Sequence, residues 1–118
     1  MTAKGFRRIA LGMTGAVEGA HMGHADFRVG GRIFATLGYP DGKWGMVALT
    51  PEQQQDVLRD HDAFSPAKGA WGVKGATMVR LAAVDEETLG AALTQALQNA
   101  AAKAPARRSP RQPAKSRR

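Results

Sequence analysis

Cysteine is absent from the 118 residues. That excludes a disulfide framework, a thiol nucleophile and any cysteine-bearing zinc site. Serine is scarce: Ser65, Ser109 and Ser116 are the only three, and none sits in the Gly-x-Ser-x-Gly turn of a hydrolase nucleophile. No apolar run is long enough to cross a bilayer, so no membrane association is expected. Residues 1–13 lack the apolar core and cleavage site of a secretory leader, which predicts a cytoplasmic protein. Gly30-Gly31 separates two strand-like runs rather than opening a helix, so it is a turn and not a phosphate-cradling loop. Glu18 and His21 could form an acid/base pair, but no substrate-binding pattern accompanies them. The expectation is a protein that is not an enzyme and needs no cofactor.

Acidic residues are also in short supply, and the shortage is local. The chain has 17 Lys and Arg against 10 Asp and Glu, a formal net charge of +7. Lys103, Arg107, Arg108, Arg111, Lys115, Arg117 and Arg118 supply the whole excess; the other ten cations equal the ten acids. The high pI therefore describes the tail and not the body. From Lys103 onward, Pro105, Pro110 and Pro113 interrupt a run of Arg, Lys, Ala and Ser, with no apolar side chain larger than alanine. Such a segment cannot bury enough surface to offset its ordering entropy. The expected organisation is one domain over residues 1–102 and a disordered basic tail over residues 103–118.

Turn chemistry organises the body. Gly30-Gly31 gives the two-residue spacing of a tight hairpin, where φ > 0 is needed. Pro40-Asp41-Gly42 marks a second turn, with proline presetting one dihedral and Gly42 adopting the left-handed one. Between them Ile33, Ala35 and Leu37 alternate with Phe34 and Thr36, the period of a strand. Met46 to Leu49 is a third short strand. Thr50-Pro51-Glu52-Gln53 then reads as a capping box with proline at the first helical position.

Around this meander, the spacing of Phe6, Ile9, Ala10 and Met13 predicts a first helix over Lys4 to Met13. Thr14 to Ala25 is glycine-rich, with room for a short extended piece around Val17 to Met22. A second helix is predicted from Pro51 to about His61, with Val57 and Leu58 inward. Phe64-Ser65-Pro66 closes it and a loop follows to Gly72. A second hairpin is predicted to pair Trp71 to Lys74 with Thr77 to Ala83 across Gly75-Ala76. A third helix starts at the cap Asp85, with Leu89, Leu93, Ala96, Leu97 and Ala100 as its buried stripe. The order α-β(3)-α-β(2)-α predicts a two-layer α+β fold, an antiparallel sheet covered by helices on one face.

Several of these segments together resemble the MmcQ/YjbR-like proteins, small bacterial domains often labelled DNA-binding. They are Gly15-Ala16-Val17-Glu18, Asp26-Phe27-Arg28-Val29-Gly30-Gly31-Arg32-Ile33-Phe34-Ala35, Leu49-Thr50-Pro51-Glu52-Gln53, Phe64-Ser65-Pro66-Ala67 and Trp71-Gly72. The resemblance covers roughly Phe6 to Ala102. It implies a secretion-chaperone-like or frataxin-like fold and nucleic acid, DNA above all, as the partner. Members of that family often carry lysine where this chain has Ala48, and tryptophan where it has Ala76-Thr77.

The residues best suited to a nucleic-acid contact are the strand and loop cations Arg28, Arg32, Lys43, Lys68, Lys74 and Arg80, with Trp44 and Trp71 to stack on bases. The same cations also suit ordinary solvated strand edges. In the tail, Arg107, Arg108, Arg111, Lys115, Arg117 and Arg118 would neutralise phosphates without reading sequence, or would simply aid solubility. The alternative function is a protein-interaction module using the exposed sheet face or edge. His21 and His24, near Glu18 and Asp26, read as loop histidines rather than a metal site, because their spacing is not a helical ligand pair. Glu52, Asp56 and Asp60 form an acidic stripe on the second helix, broken by Arg59, and read as a solvated face.

Overall fold

The computed structural model describes residues 1–103. Apart from Lys103, the tail expected to be disordered lies outside the described residues. The body begins with helix α1, Ala3–Leu11, whose N-cap Thr2 accepts the Gly5 N–H at 3.0 Å. Strands β1 (Val17–His21), β2 (His24–Val29), β3 (Arg32–Leu37) and β4 (Trp44–Ala48) follow as a meander. Then come α2 (Pro51–Asp60), β5 (Phe64–Pro66), α3 (Gly69–Val73) and β6 (Ala76–Arg80). A single 3-10 turn, Leu81–Ala83, leads into α4, Glu86–Lys103. The six strands lie in the order β1-β2-β3-β4-β6-β5, each neighbouring pair antiparallel.

The two-layer α+β architecture is the one expected, and the core explains its handed faces. Phe6 of α1 is fully buried and packs at 5.9 Å, centroid to centroid, from the ring of Phe27 on β2. It also fills the gap over Gly45 of β4, where a Cβ would lie 2.6 Å from the Phe6 ring. Leu89, Ala92, Leu93, Ala96 and Ala100 of α4 are buried against the same side of the sheet, with Leu97 partly buried beside them. The interstrand partners Phe27, Ala35 and Val47 therefore face the helices, as do Gly45 and Val79.

One irregularity sets which side chains reach that core. Phe27 pairs with Ala35 but Arg28 pairs with Ile33, so Phe34 has no partner and bulges. A bulge places two consecutive residues on one side of a strand. Phe34 and Ala35 are accordingly both fully buried. Ile33 opposes Arg28 instead and lies on the opposite face.

The structure corrects the sequence expectation in four places. Val17–His21 is a full strand paired along its length with β2, not a short piece in an irregular segment, and His24 is on β2 and not in a loop. Glycine at position 19 looked like a loop signal, but it leaves the space into which the Asp26 carboxylate fits: a Cβ there would sit 2.8 Å from its Oδ1. Second, Trp71 to Lys74 is not a strand. Gly69–Val73 is a short helix, and β6 pairs instead with Phe64–Pro66. The cause is close backbone contact, since a Cβ on Gly72 would fall on the Ala67 carbonyl oxygen and one on Gly75 on that of Leu49. Third, β6 stops at Arg80 and Leu81–Ala83 coils. Fourth, the left-handed glycine of the second turn is Gly38, at φ 96°, rather than Gly42. The Gly30-Gly31 turn has φ of 58° and 80°, as its hairpin requires.

The caps behave as expected. Thr50 Oγ1 accepts the Gln53 N–H at 3.1 Å while Gln53 Oε1 accepts the Thr50 N–H at 3.0 Å. Asp85 Oδ1 accepts the Thr88 N–H at 2.7 Å. That backbone hydrogen bond holds the Asp85 carboxyl below its ordinary value of 3.8. A depressed folded pKa means that the cap's contribution is full above the ordinary value and is lost as pH falls through the lowered one. Asp85→Asn retains the acceptor and removes the titration. Chemical denaturation between about pH 5 and pH 2 should therefore show a shallower acid loss in the variant than in the wild type.

Two glycines in helices predict opposite outcomes. Nothing lies within 4 Å of a Cβ built on Gly90 in α4. Gly90→Ala should stabilise the protein by about 0.5–1 kcal/mol through helix propensity. Gly72→Ala should destabilise it by about 1–3 kcal/mol, because backbone must move to admit the methyl group. Urea denaturation curves of the two variants would test both signs.

Candidate nucleic-acid interface

The face of the sheet away from α1 and α4 carries the candidate contacts. Paired residues of antiparallel strands share a face. Trp44 pairs with Arg80, Met46 with Met78 and Ala48 with Ala76, alternating with the core pairs Gly45–Val79 and Val47–Thr77. The Arg80 guanidinium carbon lies 5.8 Å from the Trp44 ring centroid, a cation–π distance. Lys43 adjoins them, since its carbonyl accepts the Leu81 N–H at 3.0 Å. Tyr39, in the same β3–β4 turn, is 60% exposed and stands 5.7 Å from the His24 ring. The turn itself is held by Asp41, whose Oδ1 accepts the Lys43 N–H at 2.8 Å. Neither Lys43 nor Arg80 makes an ion pair among the described residues.

Arg28 is differently employed. Its Nε donates to Asp26 Oδ1 at 2.8 Å and one terminal nitrogen donates to Oδ2 at 3.0 Å. The Asp26 side chain is fully buried while that of Arg28 is 37% exposed. The hydrogen bond and charge of Asp26 raise the Arg28 pKa above its ordinary value, keeping the fork charged. A buried carboxylate needs such a partner far more than a distant phosphate does. β2 also lies three strand spacings from β6, roughly 14 Å, so Arg28 does not join the Arg80 group.

The remaining cations divide in the same way. Arg32 opposes Val29 at the β2–β3 turn, on the helix side of the sheet. Lys68 and Lys74 flank α3, on which Trp71 is 75% exposed, forming a second aromatic and cationic group. On the helices, Arg7 pairs with Glu18, Arg8 with Glu86, and Arg59 with Asp56 and Asp60. The acidic stripe of α2 is thus partly neutralised by its own Arg59. The tail residues Arg107, Arg108, Arg111, Lys115, Arg117 and Arg118 lie outside the described residues.

The structure thus brings Lys43, Trp44 and Arg80 together, sets Lys68, Trp71 and Lys74 apart, and separates Arg28 and Arg32 from both. Sequence reasoning missed Tyr39. An aromatic residue between Gly38 and Pro40, where a polar turn residue is usual, was the signal available. It also missed Gln54, whose buried amide donates to the carbonyls of Gly72 and Ala76 at 3.0 Å each. A glutamine on an otherwise polar helix gives no hint of burial.

A six-stranded antiparallel sheet with helices on one face, its other face bearing paired aromatic and cationic side chains, defines a two-layer α+β domain with an open sheet. The YjbR family model matches residues 11–99, and the chain belongs to that family. The crystal structure of a protein from Pseudomonas syringae is similar, with a TM-score of 0.67 at 15% sequence identity, covering 85% of this chain and 99% of that one. At that identity the likeness concerns the fold alone. A comparison with curated proteins gives no match.

Arg28 is expected to matter for stability before it matters for any ligand. Arg28→Ala removes both of these hydrogen bonds to a buried carboxylate and should lower stability. Arg28→Lys keeps the charge without the planar fork and should fall between wild type and alanine. Thermal or urea unfolding of the three proteins would test the order; an undiminished Arg28→Ala protein would contradict the assigned role.

Proposed function

We propose that this YjbR protein binds nucleic acid without chemically altering it, through two cooperating parts. One is the Lys43, Trp44 and Arg80 group, with the exposed Tyr39 in the same β3–β4 turn but against His24. The other is the set of seven positive charges from Lys103 onward. The observation that supports the reading is the Arg80 guanidinium set against the Trp44 ring, with Lys43 adjacent and no ion pair on either cation among the described residues. An aromatic face beside unpaired cations offers a base something to stack on and a phosphate something to pair with. The tail charges supply affinity without sequence discrimination, because each phosphate they neutralise releases condensed counterions. The body is formally neutral, so it adds position rather than attraction at long range.

The two parts have different signatures. Truncation after Ala102 should lower the log–log salt dependence of duplex binding by as much as about 6, at roughly 0.9 per phosphate contact. Lys43→Ala with Arg80→Ala should weaken binding of the truncated protein and leave its fold intact, since both side chains are exposed. Fluorescence anisotropy across a salt series, with circular dichroism as the folding control, measures both. Absence of salt-sensitive binding by the full chain would overturn the proposal.

A further inference from the structure

We propose that β1 is the dimerisation edge of the protein, pairing antiparallel with β1 of a second copy to join the two sheets into one. The inference is independent of nucleic-acid binding and rests on how differently the two sheet edges are finished. β5 has three residues, ends in Pro66 and packs against α2. Short length, proline and a covering helix are the usual protections of an edge. β1 has five residues, Val17-Glu18-Gly19-Ala20-His21, with no lysine, no proline and an unbroken register against β2. Among the described residues its one sheet neighbour is β2.

The register of the β1–β2 hairpin fixes which backbone groups point outward. His21 and His24 are partners across the two-residue turn Met22-Gly23. In such a hairpin the residues flanking the turn exchange hydrogen bonds, and the bonding alternates from there. Gly19 and Val17 therefore bond toward β2, while the N–H and C=O of Glu18 and Ala20 point away from it. A two-fold axis through Gly19 sets Glu18 opposite the partner's Ala20, and Ala20 opposite the partner's Glu18. Both members of each pair point outward, so four backbone hydrogen bonds form. Moving the axis to Glu18 would oppose like charges, and a half-residue slip would face outward groups with inward ones.

The side chains fit the same axis. Val17 is 58% exposed and Met22 is 89% exposed, at opposite ends of β1. The axis sets each Val17 opposite the partner's His21 and each Met22 opposite the partner's Ala16, so both exposed apolar residues fall within the paired segment. Met22 is also the one non-glycine residue among those described with positive φ, at 51°, a conformation that asparagine or glycine adopts at less cost. Glu18, the only formal charge on β1, is held by Arg7 at 3.0 Å in its own chain. The bodies carry no net charge to repel one another. Because the β5 edge is protected, association stops at two, as a closed isologous interface should.

The test is sedimentation velocity on the nuclease-treated full chain across a concentration series at high salt. The weight-average mass should rise from 12.5 kDa to about twice that value. Ala20→Pro removes an outward N–H and leaves the bonds to β2 intact, so it should weaken the dimer at least about tenfold with an unchanged circular dichroism spectrum. Should that variant unfold, Ala20→Lys, a charged edge, carries the same expectation. Met22→Asn should raise the melting temperature of the monomer while weakening the dimer, a pair of opposite signs that a purely structural role would not give. A monomer at every concentration would overturn the proposal. So would a dimer whose dissociation constant is unaltered in the folded edge variant.

Discussion

Three side-chain amides tie the second half of the chain to the first. Gln54 Nε2 reaches the carbonyls of Gly72 and Ala76, so one buried group fixes both α3 and the start of β6. Asn99 Nδ2 on α4 donates to the Ala48 carbonyl at 3.1 Å and to Gln53 Oε1 at 2.7 Å. Gln53 in turn closes the capping box with Thr50. The network spans α2, α3, α4, β4 and β6 without any charge. Buried donors of this kind are costly when unmatched and strongly specifying when matched. It is what permits a helix as short as α3, which could not persist alone, to hold Trp71 out in solvent.

What the sequence disclosed divides along physical lines. Local, short-range chemistry was legible: the Gly30-Gly31 turn, the Thr50 to Gln53 box, the Asp85 cap and the α4 stripe all stand where their residue patterns placed them. Contacts between distant segments were not. Gly19 reads as part of a glycine-rich segment, Gly72 as part of a strand and Gly75 as a hairpin turn, yet each marks a close approach to atoms elsewhere in the chain. Trp71 and Val73 alternate like a strand but lie on a helix because their neighbour Gly72 is pressed against Ala67. Of the candidate site, the Lys43 and Trp44 pairing was readable from adjacency, whereas the register that adds Arg80 depends on β4 meeting β6. Arg28 shows the opposite error, a cation that looked available and is occupied by Asp26.

The distribution of charge shapes any functional reading. Arg7, Arg8 and Arg59 on the helices are paired with carboxylates and Arg28 is committed to Asp26. Of the body's other cations, Lys43, Lys68, Lys74 and Arg80 accompany the tryptophans, while Lys4 lies on α1 and Arg32 at the β2–β3 turn. The sheet face also keeps apolar character through Ile33, Met46 and Met78, all partly buried. Ala48 and Ala76 are register partners on that face, so its far end carries only small side chains. This chain has its own aromatic and cationic pair, Trp44 and Arg80, at the other end of the same two strands.

The bulge at Phe34 has a consequence for how the sheet can change. It is a phase shift: the two halves of β3 obey the same alternation but count from different origins. Arg32 and Ile33 answer to one origin, Ala35 to Leu37 to the other. Loss of Phe34 would bring the two counts into register and leave the strand pairings on both sides of it in place. Ile33 would stay opposite Arg28 on the open face and Arg32 opposite Val29 on the helix side, so the change would be confined to the core, which would lose one fully buried ring. One position therefore adds a core side chain without redistributing polarity between the two sides of the domain or altering its topology.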